Sequence, residues 1–316
     1  MPEIGESESG SQTYPDMEKL AGLPRFVRSG GLKTTTQRTV EDVEWPEDVR
    51  CPVCLSFDFD AQIGIMSYGY GDRLCQVTEG EFGSRVGIWR VLDLLDRHGI
   101  KATFFVPGWT AENYPESVKE IDDRGHEVAH HGYNHLWTSR LSIEEERAEI
   151  EGGIDTLHWL TGKRPQGYRA PDARYSPNTV ELLLEYGFTY DSCCCADDIP
   201  YWWVVDGRET ELLEIPLFWH LDDFMHYAIM LGHAAAPKIP SDVARLWISE
   251  FNGLYELGRC CTLCCHPFLS GRPSRIAAIE EFIRHVEGFP DVSFSTFIDL
   301  AEYWRERYPP GTSSQS

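Results

Sequence analysis

The stretch Val53-Cys-Leu-Ser-Phe-Asp58-Phe-Asp60 is a short apolar run that ends in two carboxylates. Side chains alternate along a strand, so Asp58 and Asp60, two residues apart, are expected on the same side. Two like charges at that spacing cost free energy unless a cation or a proton separates their roles. The run therefore predicts either two turn or capping carboxylates, which are common after strands, or one metal ligand beside one general base.

A second stretch, His126-Glu-Val-Ala-His-His-Gly-Tyr-Asn-His135, holds four of the eleven histidines. His131 and His135 are four residues apart. Two histidines at that spacing lie on one face of a helical turn and can share a metal ion, although surface or capping histidines fit the spacing too. Gly132 follows His131, where His-Glu-x-x-His metalloproteases have their catalytic Glu, so a general base is expected from elsewhere in the chain.

Further stretches complete a pattern that resembles the polysaccharide deacetylase family (NodB-homology domain). The motifs match in order: Ser-Phe-Asp58-Phe-Asp60, His131-Gly-Tyr-Asn-His135, Arg169-Ala-Pro171, Asp191-Ser192 and His266-Pro267. The resemblance covers about residues 53–304. The residues of the first two motifs look most like those of the branch with intracellular peptidoglycan-deacetylase-like and allantoinase- or cyclic-imidase-like members.

The resemblance implies one divalent metal ion per chain, expected to be zinc, with three ligands: Asp60, His131 and His135. Three protein ligands leave room for water and substrate, which is the open arrangement of a catalytic zinc site. Two alternatives stay open. The histidine pair can be read as His126 and His130. Phe59 also separates aspartates that are adjacent in most family members, so Asp58 and Asp60 could exchange roles.

The resemblance also implies the groups that move protons. Asp58 is expected to act as general base, Arg169 to hold and orient that carboxylate, and His266 to protonate the leaving nitrogen. A backbone N–H at Asp172 is expected to contact the oxyanion. The structural alternatives are an ordinary surface ion pair for Arg169 and a satisfied core histidine for His266.

Composition limits the partners and the compartment. The 316 residues include 28 basic and 51 acidic ones, a net charge of −23, which argues against a nucleic-acid or anionic-membrane partner. The first residues resemble no secretory signal peptide and no later run could span a bilayer, so a cytoplasmic protein is expected. The ten cysteines are expected to form neither a disulfide framework nor a zinc site, and those at 193–195, 260–261 and 264–265 are expected to be small buried hydrophobes.

Strand and helix signals alternate along the chain. Predicted strands cover residues 50–57, 101–106, 126–129, 189–191, 211–216, 260–265 and 292–295. Predicted helices cover residues 84–98, 115–124, 142–160 (with a Ser142–Glu145 capping box), 177–186, 241–257, 275–286 and 296–307. This alternation favours a parallel α/β sheet. The resemblance implies a distorted (β/α) barrel with fewer than eight regular repeats and functional residues at the carboxyl ends of its strands.

Residues 1–45 are interpreted as an extended N-terminal arm, with simple disorder as the alternative, and residues 46–316 as one catalytic domain. Residues 197–203 are predicted to form a loop whose Tyr201, Trp202 and Trp203 either bind substrate or make core or subunit contacts. Residues 216–223 are expected to line the same mouth.

Together these features predict a metal-dependent hydrolase of non-peptide C–N bonds that removes the acetyl group from an amino sugar or glycan. One alternative is ring opening of a small cyclic amide, such as a cyclic imide or allantoin. Another, from a different class, is a catalytically inactive binding protein. The arm and the apolar loops suit a homo-oligomer.

Overall fold

The computed structural model describes residues 43–46, 48–232, 236 and 238–311. The predicted arm therefore lies outside the described residues, apart from its last three. Of these, Trp45 is buried, packs against Trp304 and donates its indole N–H to the Gly258 carbonyl at 2.9 Å.

One sheet contains the nine strands of the described residues. The strands are β1 (Cys51–Asp58), β2 (Thr103–Val106), β3 (Glu127–His130), β4 (Gly167–Tyr168), β5 (Tyr190–Asp191), β6 (Tyr201–Val205), β7 (Arg208–Glu214), β8 (Cys261–Cys265) and β9 (Val292–Phe294). Their order is β6-β7-β5-β4-β3-β2-β1-β8, with β9 paired to β1. All pairs in this sheet are parallel except the β6–β7 hairpin. Every residue of β1 is buried, as expected for a strand covered on both faces.

Helices connect and cover these strands. They are α1 (Ala61–Ile65), α2 (Leu74–Phe82), α3 (Ile88–His98), α4 (Gly108–Asn113), α5 (Pro115–Asp123), α6 (Ile143–Thr161), α7 (Thr179–Glu185), α8 (Phe224–Tyr227), α9 (Pro240–Leu257), α10 (Pro267–Ser270), α11 (Pro273–Val286) and α12 (Phe297–Arg307). The predicted capping box of α6 is confirmed. Ser142 Oγ accepts from the Glu145 backbone N–H, and the Glu145 carboxylate accepts from the Ser142 N–H.

The predicted α/β class with a parallel sheet is confirmed, and most predicted elements differ from the observed ones by a few residues at their ends. The helical residues 61–70 and 74–83 were missed. Glycines hide this segment because they lower helix propensity. They are needed for packing: a Cβ on Gly80 would lie 2.5 Å from the Ala61 carbonyl oxygen, and one on Gly83 would lie 2.9 Å from the Phe268 Cβ.

The predicted loop at residues 197–203 is wrong in its second half. Tyr201 begins β6, which forms an antiparallel hairpin with β7. The turn is Asp206-Gly207, and both residues have positive φ, 52° and 76°. Two such residues form the turn that suits the twist of a two-residue hairpin, so Asp-Gly between β-forming residues was the overlooked signal.

The prediction for the cysteines is confirmed in part. All ten are free thiols and seven are buried, but Cys194 is only half-buried and Cys195 is exposed. Burial raises the pKa of the Cys51 thiol to about 12, so the thiol stays protonated and packs as a small apolar group. Within the described ranges, the helices are too short or too polar for any of them to cross a bilayer.

Candidate active site

The carboxyl ends of four strands bring the chemically active side chains together. Asp58 is the last residue of β1, and His131, Arg169 and His266 each directly follow a strand: β3, β4 and β8. Parallel strands end at one edge of the sheet, so residues far apart in sequence meet there. These four side chains line a cavity of about 480 Å³, including its open mouth, together with Asp60 and His135.

Three of these residues form a buried group suited to a metal ion. Asp60 Oδ1 lies 3.5 Å from His131 Nε2 and 3.7 Å from His135 Nε2. One ligand atom from each residue falls within 4.8 Å of the other two. Asp60 Oδ1 is buried and has no hydrogen-bond partner among the residues that the structure describes. A buried carboxylate oxygen without a partner costs free energy, and a cation would offset that cost.

The second nitrogen of each imidazole fixes which nitrogen faces Asp60. His131 Nδ1 lies 2.8 Å from the Arg169 carbonyl oxygen and must donate to it. The Ser67 hydroxyl donates to the Gly64 carbonyl, so its oxygen accepts from His135 Nδ1 at 3.0 Å. Burial lowers the pKa of His135, which keeps its ring neutral. Both Nε2 atoms are therefore lone-pair donors, and two such nitrogens with one carboxylate oxygen fit a divalent ion such as zinc.

The two histidines do not lie on a helical turn, so that expectation was wrong. Residues 131–135 form a loop in which Gly132 and His135 have positive φ, 72° and 56°. The loop brings the imidazole centroids to 5.0 Å. Positive φ is uncommon for a residue other than glycine, so neighbouring structure must hold His135 in place.

The earlier histidine pair does not line the cavity. The residues His126-Glu-Val-Ala-His130 match the His-Glu-x-x-His motif of metalloproteases. That motif requires a helix, whereas this segment runs along β3. His126 Nδ1 accepts from the Ala102 N–H, and His130 bonds the Ile150 carbonyl and the Gly132 N–H. Burial lowers the pKa of His126 to about 4 and that of His130 to about 3.

Asp58 is held from one side by a buried arginine. Arg169, only 1% exposed, donates to Asp58 Oδ1 at 2.6 Å and to the backbone and hydroxyl oxygens of Ser192. The surface ion pair considered for Arg169 is thus excluded. Asp58 Oδ2 points toward His131 and His266, 3.8 and 3.9 Å from their Nε2 atoms. Burial raises the pKa of Asp58, but neighbouring positive charge, above all that of Arg169, together with the Arg169 hydrogen bond outweighs burial. The net shift of the pKa is downward, so Asp58 is ionised.

His266 is held by two acidic residues that sequence reasoning did not assign. Its Nδ1 lies 2.7 Å from Asp223 Oδ1. Asp223 Oδ2 accepts from the His266 backbone N–H and from the Ser270 hydroxyl. Asp222 Oδ1 lies 3.7 Å from the same Nδ1. Burial alone would lower the pKa of His266. The charge and hydrogen bond of Asp223, with the charge of Asp222, outweigh this effect, and the pKa rises to about 10. His266 therefore carries a proton at neutral pH. The Asp-Asp pair ending residues 216–223 was the available signal.

The remaining predicted residues differ in location. Asp172 lines the cavity, has a φ of 58°, and accepts hydrogen bonds from Tyr68 and Arg174 at 2.6 Å each. The side chains of residues 201–203 are buried in the core and are not among the residues that line the cavity. The indole N–H of Trp202 bonds a backbone carbonyl, and that of Trp203 bonds a buried carboxylate. Their role in substrate binding stays a prediction.

Part of residues 216–223 lines the cavity, but not together with residues 201–203 as expected. Leu217, Trp219 and Asp222 belong to the lining, with Phe224, Leu231 and Phe268 adding apolar surface. Trp219 is 43% exposed, so one part of a large aromatic surface is open to solvent at the rim. Such a surface can bind a flat apolar face.

Comparison with known proteins places the chain among deacetylases. The profile of the family described as polysaccharide deacetylase matches residues 81–190. A peptidoglycan deacetylase from Helicobacter pylori is 33% identical over 284 residues, which cover 81% of this chain and 97% of the relative.

Solved structures agree. A crystal structure from Mycobacterium smegmatis, assigned as a polysaccharide deacetylase, is 36% identical with a TM-score of 0.80, covering 85% of this chain and 95% of that one. The crystal structure of Puue allantoinase is 25% identical with a TM-score of 0.75, covering 88% and 97%. These likenesses confirm the distorted barrel and the class of metal-dependent hydrolases of non-peptide C–N bonds. The chain belongs to the polysaccharide deacetylase family.

Proposed function

We propose that the protein removes the acetyl group from an N-acetylated amino sugar of a glycan. The observation that carries the proposal is the meeting of three groups in one cavity: an ionised Asp58 held by Arg169, a protonated His266 held by Asp223, and Asp60 between two imidazole nitrogens. The relatives named as deacetylases support the same reaction.

Hydrolysis of an acetamide needs a base for water and an acid for the departing amine. Asp58 Oδ2 takes the proton from water, while Arg169 keeps Oδ1 in place. His266 Nε2 then gives its proton to the leaving nitrogen, because an amide anion is too basic to depart. Asp60, His131 and His135 would hold one divalent ion, proposed to be zinc. When bound, such an ion polarises a carbonyl and makes water more acidic.

The substrate test compares two chemistries directly. Purified protein with zinc is given N-acetylglucosamine oligomers and peptidoglycan fragments, and separately allantoin and cyclic imides. We expect acetate release from the glycans and no ring opening. Ring opening without acetate release would reject the deacetylase proposal and make the allantoinase likeness the better guide.

His266→Ala should lower kcat by about 10²–10⁴-fold with metal content and KM little changed, because general acid catalysis acts mainly in the transition state. The wild-type rate should fall at alkaline pH, as His266 loses its proton, and this limb should vanish in the variant. The loss of kcat in the variant should be smaller for an ester analogue, because a departing alkoxide needs the proton less. Equal losses for amide and ester would show that His266 shapes the pocket instead.

Trp219→Ala should raise KM for an N-acetylglucosamine oligomer roughly tenfold, about 1.4 kcal/mol, with kcat nearly unchanged. The expected cause is loss of an aromatic surface on which a sugar ring stacks at the cavity rim. Trp159→Ala is the matched control: Trp159 is 77% exposed on α6 and is not part of the cavity lining. A KM unchanged in the Trp219 variant, or raised equally in the control, would remove the sugar-stacking role.

The cytoplasmic location, the homo-oligomer and the absence of nucleic-acid and membrane partners stay predictions. The net charge of −23 supports the absence of nucleic-acid and anionic-membrane partners. Cell fractionation and light scattering of the purified protein check the location and the oligomeric state.

A further inference from the structure

The loop that carries both histidine ligands lies directly on helix α6. Two consecutive glycines, Gly152 and Gly153, face the loop. A Cβ on Gly153 would come 2.2 Å from His130 Nε2 and 2.9 Å from the Gly132 carbonyl oxygen. A Cβ on Gly152 would come 3.1 Å from the Tyr133 ring. The helix therefore supports the loop at a distance that only glycine allows.

One side chain of α6 reaches into the loop itself. Glu149, only 7% exposed, accepts the Tyr133 and Asn134 backbone N–H groups with Oε2 at 3.0 and 2.7 Å. Its Oε1 accepts the Asn134 side-chain amide at 2.8 Å. All three donors belong to residues between His131 and His135. A single carboxylate thus satisfies two backbone donors of a loop with no helical or strand ladder of its own.

These bonds bear on the ligands through the backbone. The loop enters through Gly132 and leaves through His135, both at positive φ. A non-glycine residue in that region is strained and persists only when surrounding structure fixes it. The bonds to Glu149 fix the residues just before His135, and so fix the direction in which its imidazole points toward Asp60.

We propose that Glu149 is a positioning residue for the metal site: its carboxylate holds the loop so that His131 and His135 present their Nε2 atoms together. This inference rests on the metal site of the proposed function. Groups behind metal ligands typically alter affinity by 10–100-fold when removed. We expect a loss in that range when Glu149 is removed.

The matched control lies one turn away on the same helix. Glu146 is also buried, and its carboxylate accepts from Ser176 and Thr179, outside the loop. Full-length wild type, Glu149→Ala and Glu146→Ala are stripped of metal, and zinc affinity is measured by competition with a chromophoric chelator. Hydrogen exchange of residues 131–135 in the metal-free protein gives a readout independent of metal.

We expect Glu149→Ala to bind zinc 10–100-fold more weakly and to exchange the loop amides faster. Glu146→Ala should lower the melting temperature yet bind zinc within twofold of wild type. Glu149→Gln should recover most of the affinity, since its amide oxygen can accept both backbone N–H groups. If Glu149→Ala does not fold, Asn134→Ala, which removes only the third bond, should still weaken zinc binding by roughly threefold or more.

Unchanged zinc affinity in Glu149→Ala, or in Asn134→Ala where Glu149→Ala does not fold, would overturn the role of Glu149. So would an equal loss of zinc affinity in Glu146→Ala, or zinc binding by Glu149→Gln as weak as that of Glu149→Ala. Wild-type protein that binds no zinc would overturn the metal site and this inference with it. Wild type that binds zinc while Glu149→Ala binds it equally well overturns this inference alone.

Discussion

Asp58→Asn should keep its metal and lose turnover by about 10²–10⁴-fold, the usual contribution of a general base. The amide has nearly the shape of the carboxylate, and its oxygen can still accept from Arg169. It cannot take a proton from water, so the chemical step fails while the three proposed ligands stay in place. Metal content by mass spectrometry and kcat on an N-acetylglucosamine oligomer measure both effects.

Stability has to be followed in the same variant. Arg169 is buried with Asp58 as its ion-pair partner, and removing one charge of a buried pair typically destabilises by about 3–5 kcal/mol. Thermal unfolding therefore sets the temperature of the assay. Asp60→Asn is the matched comparison: it should weaken metal binding as well as turnover. The reverse pattern would mean that Phe59 has exchanged the roles of the two aspartates.

His131→Ala should lose both metal and activity while the fold survives. It removes one of three ligands, and an open three-ligand site has none to spare. Metal content, far-UV circular dichroism and acetate release from an N-acetylglucosamine oligomer are measured together. In the wild type, metal affinity should fall on acidification, because protons compete for the imidazole nitrogens and the carboxylate.

His126→Ala is the control for that experiment, since His126 is a buried histidine of the same segment that does not line the cavity. It should keep full metal content. Full metal content in the His131 variant would remove the ligand assignment. Loss of metal in the His126 variant alone would transfer the site to the earlier pair.

The location of the site could be predicted because it follows from topology. Parallel strands end at one edge, so polar residues that follow apolar runs, such as Asp58 and His266, had to meet. The conformation of the histidine loop could not be predicted. Spacing alone suggested a helical turn, whereas contacts to Glu149 and the glycines of α6, 14 or more residues further on, stabilise a different backbone.

Other features of the site depend on contacts between residues that are far apart in sequence, and the sequence alone does not show which of these residues meet. Asp223 gains its role only beside His266, which lies 43 residues away. The three aromatic residues at positions 201–203 suggested a loop over the substrate, but the Asp206-Gly207 turn folds them into a buried hairpin. The Asp-Gly pair was a local signal for the hairpin, but the burial of the hairpin depends on packing that the local sequence does not show.

Strand β1 stays without its β8 partner for a long part of synthesis. β1 is buried on both faces, and its Ser56 pairs with Cys264 of β8. β8 leaves the ribosome ~200 residues later, about 10–40 s at ordinary elongation rates. Until then, one edge of an apolar strand has no partner, and such an edge is a template for pairing with other chains. Ribosome-bound chains from which Cys261–Cys265 has not yet emerged should therefore aggregate or recruit chaperones, whereas chains in which that segment has emerged should not.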